Sequence, residues 1–237
     1  MKNNLESTAT IILDKNPWHE TAAPEKLSIP YRPLENHRLD NPYNRLIKRT
    51  MDVWLGSVLV LAILSWMLPL MAILIKLDSK GPVFFIQKRT GRNKKSFFCL
   101  KFRSMVVNNN ANRLEVQAND HRITKLGHLL RKYHIDELPQ LLNVVKGDMS
   151  LVGPRPHMLR HTVLYASLVE NYHDRHRVKP GIAGLAQLRG YHGTIASWHD
   201  LYNRCSADFE YIEKWSLFGD FFIFFKTIFK IMINLVS

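Results

Sequence analysis

The chain has few cysteines, with two, Cys99 and Cys205, among 237 residues. They lie far apart, each in an apolar or mixed setting, so the sequence predicts neither a disulfide scaffold nor a zinc site. A reducing cytoplasmic setting suits such a chain better than an oxidising one. There are 11 histidines, of which His173 and His176 are the closest pair, but no cysteine or second histidine pair stands at ligand spacing. A resident zinc ion is therefore disfavoured.

The chain is also poor in acidic residues relative to basic ones. Its 33 lysines and arginines exceed its 20 aspartates and glutamates, which gives a formal net charge of +13. Such an excess predicts an anionic partner, for which nucleic acid, anionic lipid and nucleotide substrates all qualify. The glycine-containing segment 181–184 lacks the Lys-Ser or Lys-Thr pair of a phosphate-binding loop and the spacing of a dinucleotide-binding fingerprint. Taken alone, this segment is a turn.

One long stretch has no charge at all. The chain is apolar from Val53 to Ile75, which exceeds the roughly 18 residues that mark a membrane-segment candidate. Pro69 lies within it and is expected to kink the helix near Leu68. Lysines and arginines flank both ends, so the positive-inside rule places both ends in the cytoplasm. A re-entrant hairpin bent at Pro69 satisfies that rule, whereas a single straight span does not. The flanking residues are Arg45, Lys48 and Arg49 before the stretch and Lys76, Lys80, Lys88, Arg89, Arg92, Lys94 and Lys95 after it.

Two helical patterns meet at Asp136, with apolar residues at Leu126, Leu129, Leu130 and Tyr133 and again at Leu138, Leu141, Leu142 and Val145. Their spacing is that of one helix face. The second helix is expected to start with Asp136 near its N-cap and to stop at Gly147, with Pro139 tolerated in the first turn.

This helix start favours negative charge, because free amide groups and the positive end of the helix dipole point there. Lys125, Arg131, Lys132 and Arg155 add fixed positive charge. In such a positively charged, phosphate-binding cleft, an ionised Asp136 can act as a nucleophile. Glu137 offers a second carboxylate that can act as a base or bind a metal ion. The alternative is that Asp136 only caps the helix and Glu137 only complements its dipole.

Five segments, in order, resemble one known family. They are Lys101-Phe102-Arg103-Ser104-Met105, Arg122-Ile123-Thr124, Asp136 to Leu141, Gly147 to Pro156, and Lys179 to Gln187. The resemblance is to the bacterial sugar transferase family of monotopic polyprenol-phosphate phosphoglycosyl transferases, and it runs from about Tyr43 to the C-terminus. Two rival interpretations stay open. One is a helix-turn-helix nucleic-acid binder, which the acidic joint Asp136-Glu137 argues against. The other is an inactive membrane scaffold.

The resemblance implies a mostly helical α/β fold in which a re-entrant helical hairpin and interfacial amphipathic helices surround a small catalytic domain. The expected division is a tail at 1–42, a basic flank and re-entrant membrane helix at 43–80, and a catalytic domain on the cytoplasmic face at 81–237 with a C-terminal interfacial helix. The membrane residues implied are Lys48, Arg49, Asp52 and Pro69. The family's usual serine before that proline is Leu68 here, and Ser65, one turn earlier, is the candidate to supply the hydroxyl.

The resemblance also implies a reaction, in which a hexose 1-phosphate moves from a UDP-sugar to undecaprenyl phosphate and UMP is released. Asp136 would attack the sugar-bearing phosphate and Mg²⁺ would screen the diphosphate. Asp136 and Glu137 are the expected metal ligands, and Glu137 would help to bind the metal or poise the acceptor. The residues expected to contact phosphate or uridine are Lys101, Arg103, Arg131, Arg155, Gln187 and Arg189. The implied setting is the cytoplasmic face of the bacterial inner membrane, against anionic phospholipid, with no nucleic acid and with a homo-oligomer as a further expectation.

The remaining patterns predict local structure. Val83 to Ile86 and Ser96 to Phe102 indicate short strands, split by a basic loop, Lys88 to Lys95, expected at the lipid headgroups. A helix is expected from His157 to His176. The run from Trp215 to Val236 predicts an in-plane interfacial helix, with a second span or a buried core helix as alternatives. The ending from Gln187 to Gly193 is closer to the exopolysaccharide branch of the family, which favours glucose or galactose.

Overall fold

The computed structural model describes residues 26–29, 37–107, 120–193, 195 and 197–236. Most of the expected tail at 1–42, and most of the polar segment between Val106 and Asp120, lie outside these residues. Within them the fold is mostly helical, with two small two-stranded sheets. The expectation of a mostly helical α/β fold is thus confirmed.

The apolar stretch forms one long helix. Helix α1 (Pro42–Leu59) continues through a π-helical turn (Val60–Leu64) into α2 (Ser65–Asp78). The Asn41 side chain accepts from the Tyr43 amide, and Pro42 stands at the first helical position, where its missing N–H costs nothing. By length and composition, the 37-residue helix Pro42–Asp78 is the one helix among the described residues that is long and apolar enough to cross a membrane.

The irregular backbone of this helix is the π-helical turn at Val60–Leu64, and not Leu68, where the kink was expected. In the π-helical turn, side chains bond the backbone carbonyls: the Ser65 hydroxyl donates to the Leu61 carbonyl at 2.6 Å and the Trp66 indole to the Ala62 carbonyl at 2.9 Å. Side-chain bonds of this kind satisfy backbone carbonyls at an irregular helix turn in an apolar setting. Ser65 therefore does supply a hydroxyl to the helix backbone.

Two sheets form the strand content. Strands β1 (Phe84–Thr90) and β2 (Ser96–Phe102) pair antiparallel, with Phe84 opposite Phe102, as the two short apolar segments predict. Strands β3 (Ser150–Val152) and β4 (Gly181–Ala183) pair parallel. The segment from Gly181 was expected to be only a turn. Its strand packs so closely that a Cβ on Gly181 would lie 2.1 Å from the Gly153 nitrogen, and hence glycine is required there.

The two helices around Asp136 are α3 (Lys125–Lys132) and α4 (Gln140–Lys146). The expected stop at Gly147 is confirmed, since that residue adopts a left-handed φ of 104°. The expected N-cap at Asp136 is wrong, because α4 begins at Gln140 after Pro139. His134 has a φ of 56° and turns the chain into a 3₁₀ turn, Ile135–Glu137, that contains Asp136. No side-chain capping bond forms there.

The C-terminal half contains α5 (Leu159–Leu168), α6 (Leu185–Leu188), α7 (Trp198–Glu213) and α8 (Leu217–Val236), with a 3₁₀ segment at Tyr172–Arg177. The single helix expected from His157 to His176 is therefore broken. Val169 is extended and bridges to Leu27, and Asn171 has a left-handed φ of 55°. The apolar spacing of this segment could not reveal the bridge.

Helix α1 is tied to the body by its own charged residues. Lys48 Nζ lies 2.5 Å from Asp220 Oδ2 on α8 and 3.0 Å from the Val152 carbonyl. Arg49 donates to the Val144 and Val145 carbonyls at the end of α4. Asp52 accepts from the Ser150 hydroxyl and the Leu151 amide. These three residues, expected to contact the membrane, thus bond to protein.

Helix α8 has two different faces. Asp220 and Ile223 are buried against the body. The opposite face exposes large apolar side chains, Phe218, Phe222, Phe225, Phe229 and Ile233. Along the long helix 42–78, Trp54, Leu61, Trp66, Ile73 and Leu77 are exposed in the same way. Contiguous exposed apolar surface of this kind is typical of a membrane contact.

Candidate active site

A cleft of about 590 Å³ lies between the β1–β2 hairpin, the turn after α3, the segment after Gly153 and helix α7. Six predicted site residues line it: Lys101, Arg103, Arg131, Asp136, Glu137 and Arg155. They come from distant parts of the chain, because β2 delivers Lys101, α3 and its turn deliver Arg131 to Glu137, and the loop after β3 delivers Arg155. The fold therefore gathers most of the expected residues at one place.

Asp136 is buried, at 6% exposure, and its carboxylate makes no hydrogen bond or ion pair with any residue that the structure describes. Burial raises the pKa of Asp136, and the charge of Lys101 opposes this rise. Carboxyl groups that lack a protein partner in a cleft wall are available to a ligand. The arrangement leaves Asp136 free to attack an electrophile or to take a metal ion.

Glu137 is held in the opposite way. Its carboxylate receives Lys101 Nζ at 2.6 Å and both terminal nitrogens of Arg155, at 2.5 and 2.9 Å. Burial alone would raise the pKa of Glu137, but Arg155 and Lys101 together hold it well below its usual range. Glu137 is thus a fixed anion that orients two cations beside Asp136.

A buried network behind the cleft positions Arg155. Arg175 donates to the Arg155 carbonyl at 2.9 Å and to Asp208 Oδ2 at 2.6 and 3.0 Å. The Tyr172 hydroxyl lies 2.5 Å from His157 Nδ1, and Arg175 lies 3.1 Å from that same nitrogen. Because these groups are buried and mutually bonded, the loop that carries Arg155 has little freedom to move.

Arg103 and Arg131 are engaged with protein groups at the edge of the cleft. Arg103 donates to the carbonyls of Ile75, Ser79 and Lys80 at the end of α2. Arg131 donates to the Ser104 hydroxyl at 2.8 Å. Arg103, expected to contact substrate, therefore ties the end of the long helix to the body of the protein.

Gln187 and Arg189 do not line the cleft. Arg189 pairs with Glu210 on α7 at 2.6 Å, and both side chains are partly exposed. Gln187 lies on the short helix α6, where its carbonyl oxygen is buried without a hydrogen-bond partner among the described residues. The expectation that these two residues share one site with Arg155 is not matched by their position in the structure.

A family comparison shows where this chain belongs. The model of the family described as "Bacterial sugar transferase" matches residues 43–234. The chain belongs to the bacterial sugar transferase family. This match confirms the resemblance seen in the sequence motifs.

Several curated proteins are similar to this sugar transferase. One from Escherichia coli (strain K12), named UDP-glucose:undecaprenyl-phosphate glucose-1-phosphate transferase, is 43% identical over 89% of this chain and 45% of its own length. One from Aeromonas hydrophila, named UDP-N-acetylgalactosamine-undecaprenyl-phosphate N-acetylgalactosaminephosphotransferase, is 42% identical over 80% and 44%. The exopolysaccharide production protein PSS of Rhizobium leguminosarum bv. phaseoli is 42% identical over 77% and 94%. The chain spans less than half the length of the first two.

The sequence motifs did not reveal every residue that lines the sugar transferase cleft. Arg89, Ser104, His157, Tyr165 and Arg204 line it as well. Ser104 and Arg89 lay in segments already singled out, but Arg89 was assigned to a headgroup loop. Its position in β1, opposite Phe97, turns it towards the cleft. Arg204 on α7 carried no local signal, because only the fold brings that helix to Asp136.

Of the two acidic residues in the cleft, only Asp136 has a carboxylate available to bind magnesium. Among the residues that the structure describes, there is no group of three or more His, Cys, Asp or Glu side chains that could hold a metal ion. Asp136 is a free carboxylate, whereas both Glu137 oxygens are already bonded to cations. Magnesium often takes one carboxylate and completes its shell with water and substrate phosphates. The cleft fits such an ion, with Asp136 as its protein ligand.

Proposed function

We propose that this protein transfers a hexose 1-phosphate from a UDP-hexose to a polyprenol phosphate such as undecaprenyl phosphate, with release of UMP. The observation that carries the proposal is the buried Asp136, which has no partner among the described residues. Beside it, Glu137 is bonded to Lys101 and Arg155. Relatives from Escherichia coli and Klebsiella pneumoniae bear names that describe this reaction with UDP-glucose. Glucose is therefore the first sugar to test.

The reaction proceeds in two displacements at one phosphorus. An Asp136 oxygen attacks the phosphorus that bears the hexose, the P–O bond to UMP breaks, and UMP departs with the bonding electrons. The phosphate oxygen of the lipid then attacks that phosphorus, and the P–O bond to Asp136 breaks. The carboxylate is regenerated, and the product is a lipid diphosphate hexose. Lys101 and Arg155 supply fixed positive charge beside the developing negative charge.

Magnesium, when bound, screens the charge of the donor diphosphate. Asp136 is the residue that would hold it. Glu137 contributes by keeping Lys101 and Arg155 in place, since its own oxygens are engaged. This assignment refines the expectation that both acidic residues bind the metal.

The membrane placement proposed is a re-entrant hairpin in the cytoplasmic leaflet of the bacterial inner membrane. Both ends of the long helix bond to the same body: Lys48 and Asp52 reach β3, while Arg103 reaches the carbonyls of Ser79 and Lys80. Since one small body cannot hold both ends of a straight span from one side, these contacts support a return to the same face. Residues 81–237 then form the catalytic domain, with α8 as an interfacial helix on anionic phospholipid. A homo-oligomer stays a prediction.

The nucleotide product tests this proposal directly. The full chain in lipid nanodiscs receives UDP-glucose, undecaprenyl phosphate and magnesium, and the released nucleotide is identified by chromatography. UMP is the expected product, because the hexose keeps its phosphate. Release of UDP would overturn the proposal, since it would mean that only the sugar is transferred.

The structure gives no support to the helix-turn-helix alternative. A recognition helix must be exposed in order to enter the major groove. Helix α4 instead buries Gln140, Leu141, Asn143 and Val144. Asn143 also bonds the backbone of β2, at Phe98 and Leu100. The helix after Asp136 is thus part of the core.

A further inference from the structure

One buried cation in the cleft wall forms no ion pair with the residues that the structure describes. Arg204 on α7 lines the cleft at 6% exposure, and its one hydrogen bond to the described residues runs from a terminal nitrogen to the Gly193 carbonyl at 3.0 Å. None of the described acidic side chains pairs with it. Asp208, one helical turn further on, accepts instead from Arg175. The Nε atom of Arg204 is buried without a partner among the described residues.

A second arginine, which is half-buried, also forms no ion pair with the described residues. Arg89 on β1 lines the same cleft and donates to the Pro156 carbonyl and the Gln87 side chain. No carboxylate in the described part of the chain pairs with it. Burial lowers the pKa of both Arg89 and Arg204, and the charge of Arg155 lowers each further, yet a guanidinium stays protonated in proteins.

Buried charge without a partner is costly, and an anion that arrives in the cleft offsets that cost. On the side of Asp136, Lys101 and Arg155 are held by the single carboxylate of Glu137, while Arg131 bonds Ser104 and Arg103 bonds backbone carbonyls. Arg204 on α7 and Arg89 on β1 likewise form no ion pair with the described residues, but they lie on two other elements. These elements form other walls of the cleft than α3 and the turn that carries Asp136.

The geometry of phosphoryl transfer indicates which part of the substrates would lie near these arginines. The attacking and leaving oxygens lie roughly in line through phosphorus, so the group that departs when Asp136 attacks lies on the far side of the phosphorus. The second acceptor must later enter from that same far side. Two phosphates, one leaving and one arriving, therefore use the same place away from Asp136.

We infer that Arg204, together with Arg89, forms an anion subsite for the phosphate that lies across the reacting phosphorus from Asp136. This inference rests on the proposed function and deepens it. In the first step the occupant is the phosphate of the departing UMP. In the second step it is the phosphate of the lipid acceptor. The chemistry recognised in both is a phosphate oxyanion, and not the uracil, the sugar or the lipid chain.

The test compares UMP with uridine, which differ by one phosphate. Inhibition of turnover by each compound is measured for the wild type, Arg204→Met and Arg204→Lys in nanodiscs. Loss of a charged hydrogen bond should weaken inhibition by UMP about 10- to 100-fold in Arg204→Met. Inhibition by uridine should change by less than about 2-fold, since uridine lacks the phosphate that Arg204 binds. Arg204→Lys should recover part of the preference for UMP, because it keeps the charge.

A purely structural role gives a different result. If Arg204 only holds the Gly193 carbonyl, Arg204→Met should weaken inhibition by UMP and by uridine equally, or leave both unchanged. Either outcome overturns the inference. Lys214→Met, which removes an exposed charge where the same helix ends, is the matched control and should change neither. Arg89→Met, on another element, repeats the comparison if Arg204→Met does not fold.

The acceptor arm separates the two sources of phosphate. The KM for undecaprenyl phosphate should also rise about 10-fold in Arg204→Met if the lipid phosphate uses the subsite. A change for the lipid but not for UMP assigns the subsite to the acceptor alone and overturns the shared site. Failure of the proposed function is distinct, because then the wild type itself would release no UMP from UDP-glucose.

Discussion

Asp136 and Glu137 are neighbours in sequence but have opposite environments. Glu137 is bonded on both oxygens by Lys101 and Arg155, whereas Asp136 has no protein partner in the described structure. Because a 3₁₀ turn advances by about 120° per residue, successive side chains point to different sides. One carboxylate can thus be anchored while the next faces the cleft. The division of labour follows from the turn.

Replacement of Asp136 by asparagine tests the nucleophile. An amide keeps nearly the same shape but is a very poor nucleophile, so turnover should fall by roughly 10³-fold or more. In the wild type without lipid, UMP should appear up to about one equivalent per active site and then stop, as a two-step path requires. That burst should vanish in Asp136→Asn.

Stability serves as the control for this substitution. Asp136 caps no helix and bonds to none of the described residues, so Asp136→Asn should unfold at the same temperature as the wild type or slightly above it. Retention of the UMP burst by a folded Asp136→Asn would exclude Asp136 as the nucleophile. Direct attack by the lipid phosphate would then be the remaining path.

The pH dependence of the burst reports on the same carboxyl group. Burial raises the pKa of Asp136, while Lys101 opposes the rise. The nucleophile must be ionised, so the burst rate should fall as pH drops through this raised pKa, at a higher pH than for an ordinary aspartate near 3.9. Single-turnover UMP release measured from about pH 4.5 to 8 locates this acid limb.

Lys101→Met supplies the internal comparison for the pH profile. It removes the largest charge that opposes the rise in the pKa of Asp136, so the acid limb should move to higher pH. An acid limb at the ordinary aspartate position, unaffected by Lys101→Met, would show that a different group controls the rate.

At the scale of elements, the long helix and the catalytic body are joined by polar bonds that the sequence could not assign. The motif residues Lys48, Arg49 and Asp52 were visible as charges beside an apolar run. Their partners, Val152, Val144 and Ser150, lie about 100 residues further along the chain. Local sequence indicates that charges flank a membrane segment, but only the fold shows what they bond.

Helices α3 and α4 were predictable because their apolar spacing and the glycine stop are local signals. The sheet of β3 and β4 was not, since strands as short as Ser150–Val152 and Gly181–Ala183 contain no alternation to detect. The motifs likewise indicated Asp136, Glu137, Lys101 and Arg155. Arg204 required the packing of α7, and the pairing of Arg189 with Glu210 on that same helix has no local signal either.

The Lys48 and Asp220 pair predicts a large stability difference between two lysines. Lys48 lies in a buried pair, which Tyr211 and Trp215 also contact through Asp220, whereas Lys146 pairs with Asp148 and is 70% exposed. Lys48→Met leaves a buried carboxylate without its cation and should cost about 3 to 5 kcal/mol. Lys146→Met should cost about 1 kcal/mol or less.

Thermal unfolding of both variants in nanodiscs measures this difference. Similar midpoints for Lys48→Met and Lys146→Met would mean that water reaches the Lys48 pair, and the tie between α1 and α8 would then be weak. A selective drop for Lys48→Met supports the view that membrane helix and catalytic body unfold as one unit.

At the scale of the whole molecule, two exposed apolar surfaces and a cleft meet on one body. Trp54, Leu61 and Trp66 project from the long helix, and Phe222 and Phe229 project from α8. The cleft itself has apolar residues, Phe84, Phe102 and Val107, beside its charged centre. Such an arrangement suits a reaction between a soluble nucleotide sugar and a lipid that cannot leave the bilayer.

Topology is the prediction that belongs to this scale. Cysteines placed one at a time at Asn44 and Ser79, in a version in which Cys99 and Cys205 are replaced, should both react with a membrane-impermeant thiol reagent from the cytoplasmic side. The reason is that both ends of the helix bond to the same body, through Lys48 at one end and Arg103 at the other. Inverted and right-side-out vesicles distinguish the two sides.

A cysteine at Leu61 is the matched control, because that side chain is 73% exposed on the protein surface. Only lipid can protect it, so it should react from neither side in vesicles and become reactive after detergent solubilisation. Labelling of Asn44 and Ser79 from opposite sides would replace the hairpin with a spanning helix. The bonds of Lys48 or of Arg103 would then have to break in the membrane, since a body on one side cannot reach both ends of a span about 30 Å long.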